Sequence, residues 1–187
     1  MGVGAGKQTK ISYTLNVEGI QNQIKFKTNY AAATTISAAN FELSLNDQKI
    51  RTSSVLPTSG YIYDDAANMI TDTFRFPLSG PLTTANINVN YFNNNANSTG
   101  WIDFIELQGK RKISYWGTKA FGFRNSGVVR AGNIIQYTVI DADATTKIWD
   151  VTNPLLPENI SLQLNNSEAS FGTETQSKLK SFVLFSS

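Results

Sequence analysis

The feature that most limits how this chain can fold is the spacing of its apolar residues, which is two almost everywhere. Period two puts alternate side chains on one face of an extended strand, whereas a helix needs recurrence at three and four residues. Ile11, Tyr13, Leu15 and Val17 alternate with Ser12, Thr14 and Asn16; Phe41, Leu43 and Leu45 repeat the pattern, as do Ile87, Val89 and Tyr91. Residues 24–27, 61–63, 73–76, 135–140, 161–164 and 179–185 read the same way. No window of helical length shows the three-and-four spacing. Turn-forming residues separate the runs, among them Asn46-Asp47, Ser59-Gly60, Ser79-Gly80-Pro81 and the polar tract 93–100. Short alternating strands with frequent turns define the expected class: all-β, an antiparallel β-sandwich of jelly-roll or immunoglobulin-like arrangement with little or no helix.

A chain of 187 residues is long enough to bury roughly 70% of its unfolded surface in one core. It shows no Pro/Gly/Ser-rich linker, no block of like charge and no fixed-period repeat, so the expectation is one sandwich domain over residues 1–187, a fragment of a larger protein. A formal charge of +2 with 16% charged residues is too small and too dispersed for nucleic-acid binding, and Lys110, Arg111 and Lys112 read as a solvated strand end. No stretch approaches the about 20 apolar residues of a membrane span. The first ten residues hold no apolar run of the signal-peptide kind, which is not evidence for the cytoplasm.

The chain has no cysteine and no histidine. Nucleophilic and general-base catalysis near neutral pH rely heavily on those two types, and thiolate and imidazole metal sites require them. No cofactor is expected. What remains is carboxylate chemistry. Asp103 and Glu106 would suit glycosidic cleavage only if held roughly 5–9.5 Å apart across a sugar. Three residues apart on a strand they point to opposite faces, and a bulge would be needed to bring them together. The adjacent apolar pair Phe104 and Ile105 does break the alternation, which means either a strand covered on both faces or such a bulge. Asp141 and Asp143, and Asp64 with Asp65, resemble fragments of an oxygen-ligand calcium loop, but turn formation through the side chain explains them more simply. Trp101 and Trp149 lie inside apolar phrases and are expected in the core; Trp116, beside Gly117, is the better candidate for an exposed aromatic. Acceptor patterns for glycosylation at Asn97, Asn159 and Asn165 are expected by chance in a chain this rich in Asn and Ser.

Two phrases carry a resemblance. GWIDFIELQGKRKI starts at Gly100 and sets Trp101, Ile102, Asp103, Phe104, Ile105 and Glu106 ahead of Lys110 and Arg111. KIWDVTNPLLP starts at Lys147 and contains Trp149, Asp150, Val151, Thr152, Asn153 and Pro154, followed by the terminal KSFVLFSS. Over residues 94–187, their order and spacing resemble the β-rich region upstream of the peptidase domain in the sortase-like, gingipain-related C25 cysteine peptidases of type IX secretion. The resemblance implies a non-catalytic module of a protein that removes C-terminal secretion signals from exported cargo and anchors that cargo at the surface of Bacteroidetes cells. It implies as partners the downstream peptidase domain of the same polypeptide, outer-membrane secretion components and cargo proteins, and as location the outer membrane or cell surface. The catalytic Cys and His of such proteins cannot be carried over, because neither type is present. Trp101, Asp103, Phe104, Glu106, Arg111, Trp149, Asp150 and Pro154 are expected to be structural. The alternative from another class is a carbohydrate-binding or adhesin-like surface sandwich.

Overall fold

The computed structural model describes residues 2–4, 9–95, 97–115, 120–175 and 177–186. Strand accounts for 64% and helix for 2%, as the alternation requires. Where the sequence suggests one sandwich over residues 1–187, the chain packs as two compact units, Met1–Arg111 and Lys112–Ser187, each with its own core.

The first unit is built from β1 (Gly2–Gly4), β2 (Lys10–Ala33), β3 (Ala39–Leu45), β4 (Gln48–Val55), β5 (Asn68–Pro77), β6 (Leu82–Phe92) and β7 (Thr99–Lys110). Hydrogen bonding runs β1-β7-β2-β6-β3-β4, with β5 on β2. Its centre is β2, whose 24 residues turn a corner. At that corner Glu18, Gly19 and Asn22 adopt positive φ of 51°, 88° and 65°, and pairing shifts register against both β6 and β7. Glycine takes that conformation without steric cost, which is why Gly19 suits the bend. Residues 10–20 of β2 then pair with β6, and residues 23–33 lie between β5 and β7. One strand thus joins two antiparallel layers, β1-β7-β2-β5 and β2-β6-β3-β4, in the manner of a sandwich corner. Strands β3 and β4 meet through Asn46-Asp47, with φ of 46° and 64°, the positive pair that two-residue hairpins favour.

The core between the layers holds Ile24, Phe26, Tyr30 and Ala32 from one side and Phe41, Leu43, Val55, Ala85, Ile87 and Val89 from the other. Tyr30 stacks on Phe41 with ring centroids 4.5 Å apart. Gly100 passes so close to the rings of Tyr91 and Phe41 that a Cβ would lie 2.5 and 2.7 Å from them. At one side the layers are clasped by charge: Arg51 Nε and Nη2 donate to the two Asp72 oxygens at 2.6 and 3.0 Å, and Ser53 Oγ donates to Asp72 Oδ2 at 2.9 Å.

The second unit comprises β8 (Ile113–Ser114), β9 (Phe121–Arg124), a 3-10 turn (Ser126–Val128), β10 (Asn133–Ile140), β11 (Thr146–Asp150), β12 (Glu158–Ile160), β13 (Gln163–Asn165), β14 (Glu168–Thr175) and β15 (Ser181–Ser186). They form two four-stranded sheets, β13-β14-β10-β8 and β12-β11-β15-β9, antiparallel except for the parallel pairing of β8 with β10. Tyr137 and Phe171 of one sheet meet Phe123 and Phe182 of the other, with centroid separations from 5.3 to 6.5 Å. These four rings lie together in this small core, with Val139, Ile148 and Leu184 beside them.

Candidate functional site

In the first unit the apolar break at Phe104 and Ile105 is a bulge. Ile102 pairs with Tyr30 and Phe104 with Asn29, so Asp103 is the extra residue on β7. Before it Gly100 and Ile102 face inward; after it Ile105 and Leu107 do, and Phe104 and Glu106 turn outward. The bulge resets which face each side chain occupies. Phe104 lies under the Lys27 ammonium at 5.5 Å, Glu106 accepts from the Gln108 amide, and Asp103 is exposed. Arg111 donates to Glu18 at the β2 corner, tying the end of the GWIDFIELQGKR phrase to the bend; burial lowers the basicity of its guanidinium. Trp101 is 37% exposed on the outer face of β7, not in the core.

In the second unit Trp149 is also outside the core, 41% exposed and edge-on to Phe185 at 5.1 Å. The buried residues flanking it are Ile148 and Asp150. Asp150, 8% exposed, takes an inward position that an apolar residue would ordinarily hold. Its Oδ1 accepts from Thr152 N at 2.9 Å and its Oδ2 lies 3.5 Å from Lys180 Nζ. Thr152 Oγ1 in turn accepts from Ser181 N at 3.0 Å, and Asn153 caps the next turn by accepting from Leu155 N at 3.2 Å. Pro154 occupies that turn, and Leu155 and Leu156 project from it into solvent. The phrase from Lys147 is therefore a fixed bend whose polar side chains bond the backbone around it, holding two leucines outward.

Trp116 lies outside the described residues. Asp64 and Asp143 serve their own turns, and Asp141 accepts from Ser114 Oγ of β8 at 2.5 Å. Ser59 Oγ donates to Asp64 at 2.5 Å and Asp65 N at 2.9 Å, which holds the Asp64 carboxyl below its usual range. Thr145 donates to Asp143 Oδ1 from both hydroxyl and backbone, at 2.7 and 2.8 Å, with the same effect. Among the described residues no three acidic side chains converge as a bound cation would require. Asp72 accepts three side-chain hydrogen bonds, two from Arg51 and one from Ser53. Desolvation works to raise its pKa, but the Arg51 and Ser53 hydrogen bonds outweigh it and hold the carboxyl below the ordinary value.

Residues 61–63, read as a strand from their alternation, are a loop between β4 and β5. Tyr61, Ile62 and Tyr63 are all exposed, with the two tyrosine rings at 61° to one another. This aromatic loop is the feature the sequence reading missed. Its signal was the pair Ser59-Gly60 on one side and Asp64-Asp65 on the other, which leaves too few residues for a paired strand.

The fold defines a class: two all-β units following one another in the chain, with aromatic and leucine side chains exposed on turns and outer faces. A solved structure has the same fold. Over 100% of this chain it superimposes on the crystal structure of dimeric latent PorU from Porphyromonas gingivalis with a TM-score of 0.84 and 13% identity. The chain spans 18% of the length of that protein. No family model and no curated protein matches the sequence.

Proposed function

We propose that this chain is a non-catalytic β region of a sortase-like, type IX secretion protein, which positions a peptidase domain in the same polypeptide and docks it to its partners at the outer membrane. The observation that carries the reading is the likeness of both units, in one alignment, to a part of PorU. Support also comes from the two phrases at Gly100 and Lys147, which resemble that family and whose side chains fix bends and edges of the fold. With no Cys and no His in this chain, any thiolate chemistry of the parent belongs, in this reading, to another part of it. Trp101, Asp103, Phe104, Glu106, Arg111, Trp149, Asp150 and Pro154 act structurally in this reading: Arg111 pins the β2 corner, Asp150 and Pro154 shape the turn after β11, and the others present an outer face. The glycan-binding alternative draws less support, because Tyr61 with Tyr63 and Trp149 with Phe185 meet at 61° and 83° rather than as a flat platform.

The test is an immunoblot of fractionated source cells with an antibody to this chain. A band several times larger than 20.5 kDa in the outer membrane is expected. A band of 20.5 kDa free in the medium or cytoplasm would overturn the reading.

A further inference from the structure

Two connections of the first unit, residues 34–38 after β2 and 56–67 after β4, meet at one of its ends and hold each other. Thr58 donates to Thr34 O from both its backbone and its hydroxyl, at 2.8 and 3.2 Å, and a Cβ on Gly60 would lie 3.1 Å from Thr35 Cγ2. Within the longer loop Ser59 Oγ accepts from Tyr61 N at 3.1 Å and Tyr61 O accepts from Asp64 N at 2.9 Å. The Asn68 side-chain amide donates to the carbonyls of Leu56 and Pro57, each at 3.1 Å. A loop whose backbone is paired in this way keeps its shape, and it pays less to leave water than an unpaired one does.

This end is where the first unit exposes its large apolar side chains. Ile36, Leu56, Tyr61, Ile62, Tyr63 and Met69 are 67–85% exposed, whereas the others of this unit among the described residues, Tyr13, Leu15, Phe92 and Trp101, reach at most 52%. Folding leaves them in water, so the gain from burying them is still open to an outside surface. Charge narrows what that surface is. Residues 33–39 and 55–69 contain no Lys or Arg, and Asp64 and Asp65 are their only charges. Both follow the Tyr61-Ile62-Tyr63 tip, and the Asp64 carboxylate is drawn back onto Ser59 Oγ at 2.5 Å and Asp65 N at 2.9 Å. Tyrosine, with an apolar ring and a wet hydroxyl, suits the headgroup level of a bilayer. The side chains also stand on separate connections and project one by one. A fluid bilayer takes up such a set without matched shape, whereas a protein partner has to be complementary to it.

We propose that this end of the first unit is a lipid-docking site, which lays Tyr61, Ile62 and Tyr63 into the headgroup and upper acyl region of an uncharged or zwitterionic leaflet. Ile36, Leu56 and Met69 surround that tip, and Asp64 and Asp65 stay at the surface, where they disfavour anionic lipid. The whole chain carries +2, so adsorption through net charge alone would show the opposite preference. The site rests on this pair of connections and holds whether or not the parent is a sortase.

The test uses the whole 187-residue protein, which has no cysteine, so Ile62→Cys and Ser79→Cys each give one attachment point for a polarity-sensitive fluorophore. Ser79 follows β5 and lies at the far end of that ten-residue strand from the loop. Protein-free phosphatidylcholine vesicles are expected to shift the emission of the label at residue 62 to the blue and to leave that at residue 79 unchanged. Adding a third of phosphatidylglycerol weakens binding about fivefold, and Asp64→Asn with Asp65→Asn removes the difference. Tyr61→Ser with Tyr63→Ser, which leaves the backbone hydrogen bonds of the loop in place, lowers co-sedimentation of unlabelled protein with the vesicles about tenfold. No response at residue 62, equal responses at 62 and 79, or tighter binding to the anionic vesicles overturns the proposal. So does a shift at residue 62 that grows with protein concentration in the absence of lipid, which would make a second copy the occupant. A shift on native membrane fragments that protease treatment of the fragments removes, with none on protein-free vesicles, would make the occupant a protein and equally overturns it.

Discussion

Breaking the clasp between Arg51 and Asp72 should weaken the first unit asymmetrically, and the two exposures say why. The Arg51 side chain is 46% exposed and the Asp72 side chain 13%. In Asp72→Asn the guanidinium returns to water and still covers Phe74, over whose ring it sits at 5.4 Å, so the cost is about 1 kcal/mol. In Arg51→Met the apolar stem is retained, but a largely buried carboxylate is left with Ser53 as its side-chain donor, and the cost rises to about 2 kcal/mol. The double variant should lose less than the sum, with a coupling of about 1 kcal/mol. Acid dependence provides an independent check. The Asp72 carboxyl is held below its ordinary value, so its contribution is complete above roughly pH 4 and is lost as the pH falls through the folded value. Without Arg51 desolvation is opposed only by Ser53 and the local backbone, and the carboxyl rises. The gap between wild type and Arg51→Met is therefore wide at pH 6 and narrow at pH 3. Urea titrations read by hydrogen exchange, which resolves peptides of the two units separately, give both quantities. A coupling below about 0.3 kcal/mol, or a gap equal at the two pH values, would refute the clasp.

Phe182→Ala should remove about 3–4 kcal/mol from the second unit by emptying the centre of its four-ring core, while exchange of the first unit stays unchanged; equal losses in both would contradict the separate cores. Gly100→Ala should cost the first unit about 1–3 kcal/mol, because the added methyl meets Tyr91 and Phe41 at 2.5 and 2.7 Å; a neutral result in thermal melts would mean that those rings move freely. Burial, with some opposition from the Thr28 hydroxyl and a small push from Asp72, raises the Tyr30 phenol to about 12. Its raised value favours the protonated folded state, so stability is complete below roughly pH 10 and is lost as the pH climbs through about 12. Alkaline unfolding of the first unit followed by exchange should show this loss, and Tyr30→Phe should flatten it.

Strands with apolar side chains on every second residue were legible from sequence, and Phe41, Leu43, Leu45, Ile87 and Val89 are buried as their spacing demands. Strand β4 was not, because its inward positions include Arg51 and Ser53, whose partner Asp72 is 19 or more residues away in sequence. The two tryptophans were misplaced for a related reason. Around Trp149 the buried alternation runs through Ile148 and Asp150, so a carboxylate faces in and the large aromatic faces out, the opposite of what hydrophobicity alone suggests. Around Trp101 the alternation was readable, but the bulge at Asp103 conceals which phase belongs to the core. The two-unit division left no compositional trace, since β7 and β8 are joined by Arg111 and Lys112 alone rather than by a linker.

The 24-residue strand that turns the corner also sets the order of events during synthesis. Its partners come late: Lys25 pairs with Arg75 on one side and with Gln108 on the other. Until the ribosome has released the last residues of β7, β2 has no complete set of neighbours and its uncharged ISYTLNV run stays unprotected. Pairings across such separations delay folding, because loop closure has to precede the contacts that reward it. The first unit thus cannot close until β7 is made, and its longest strand waits for the last of its partners.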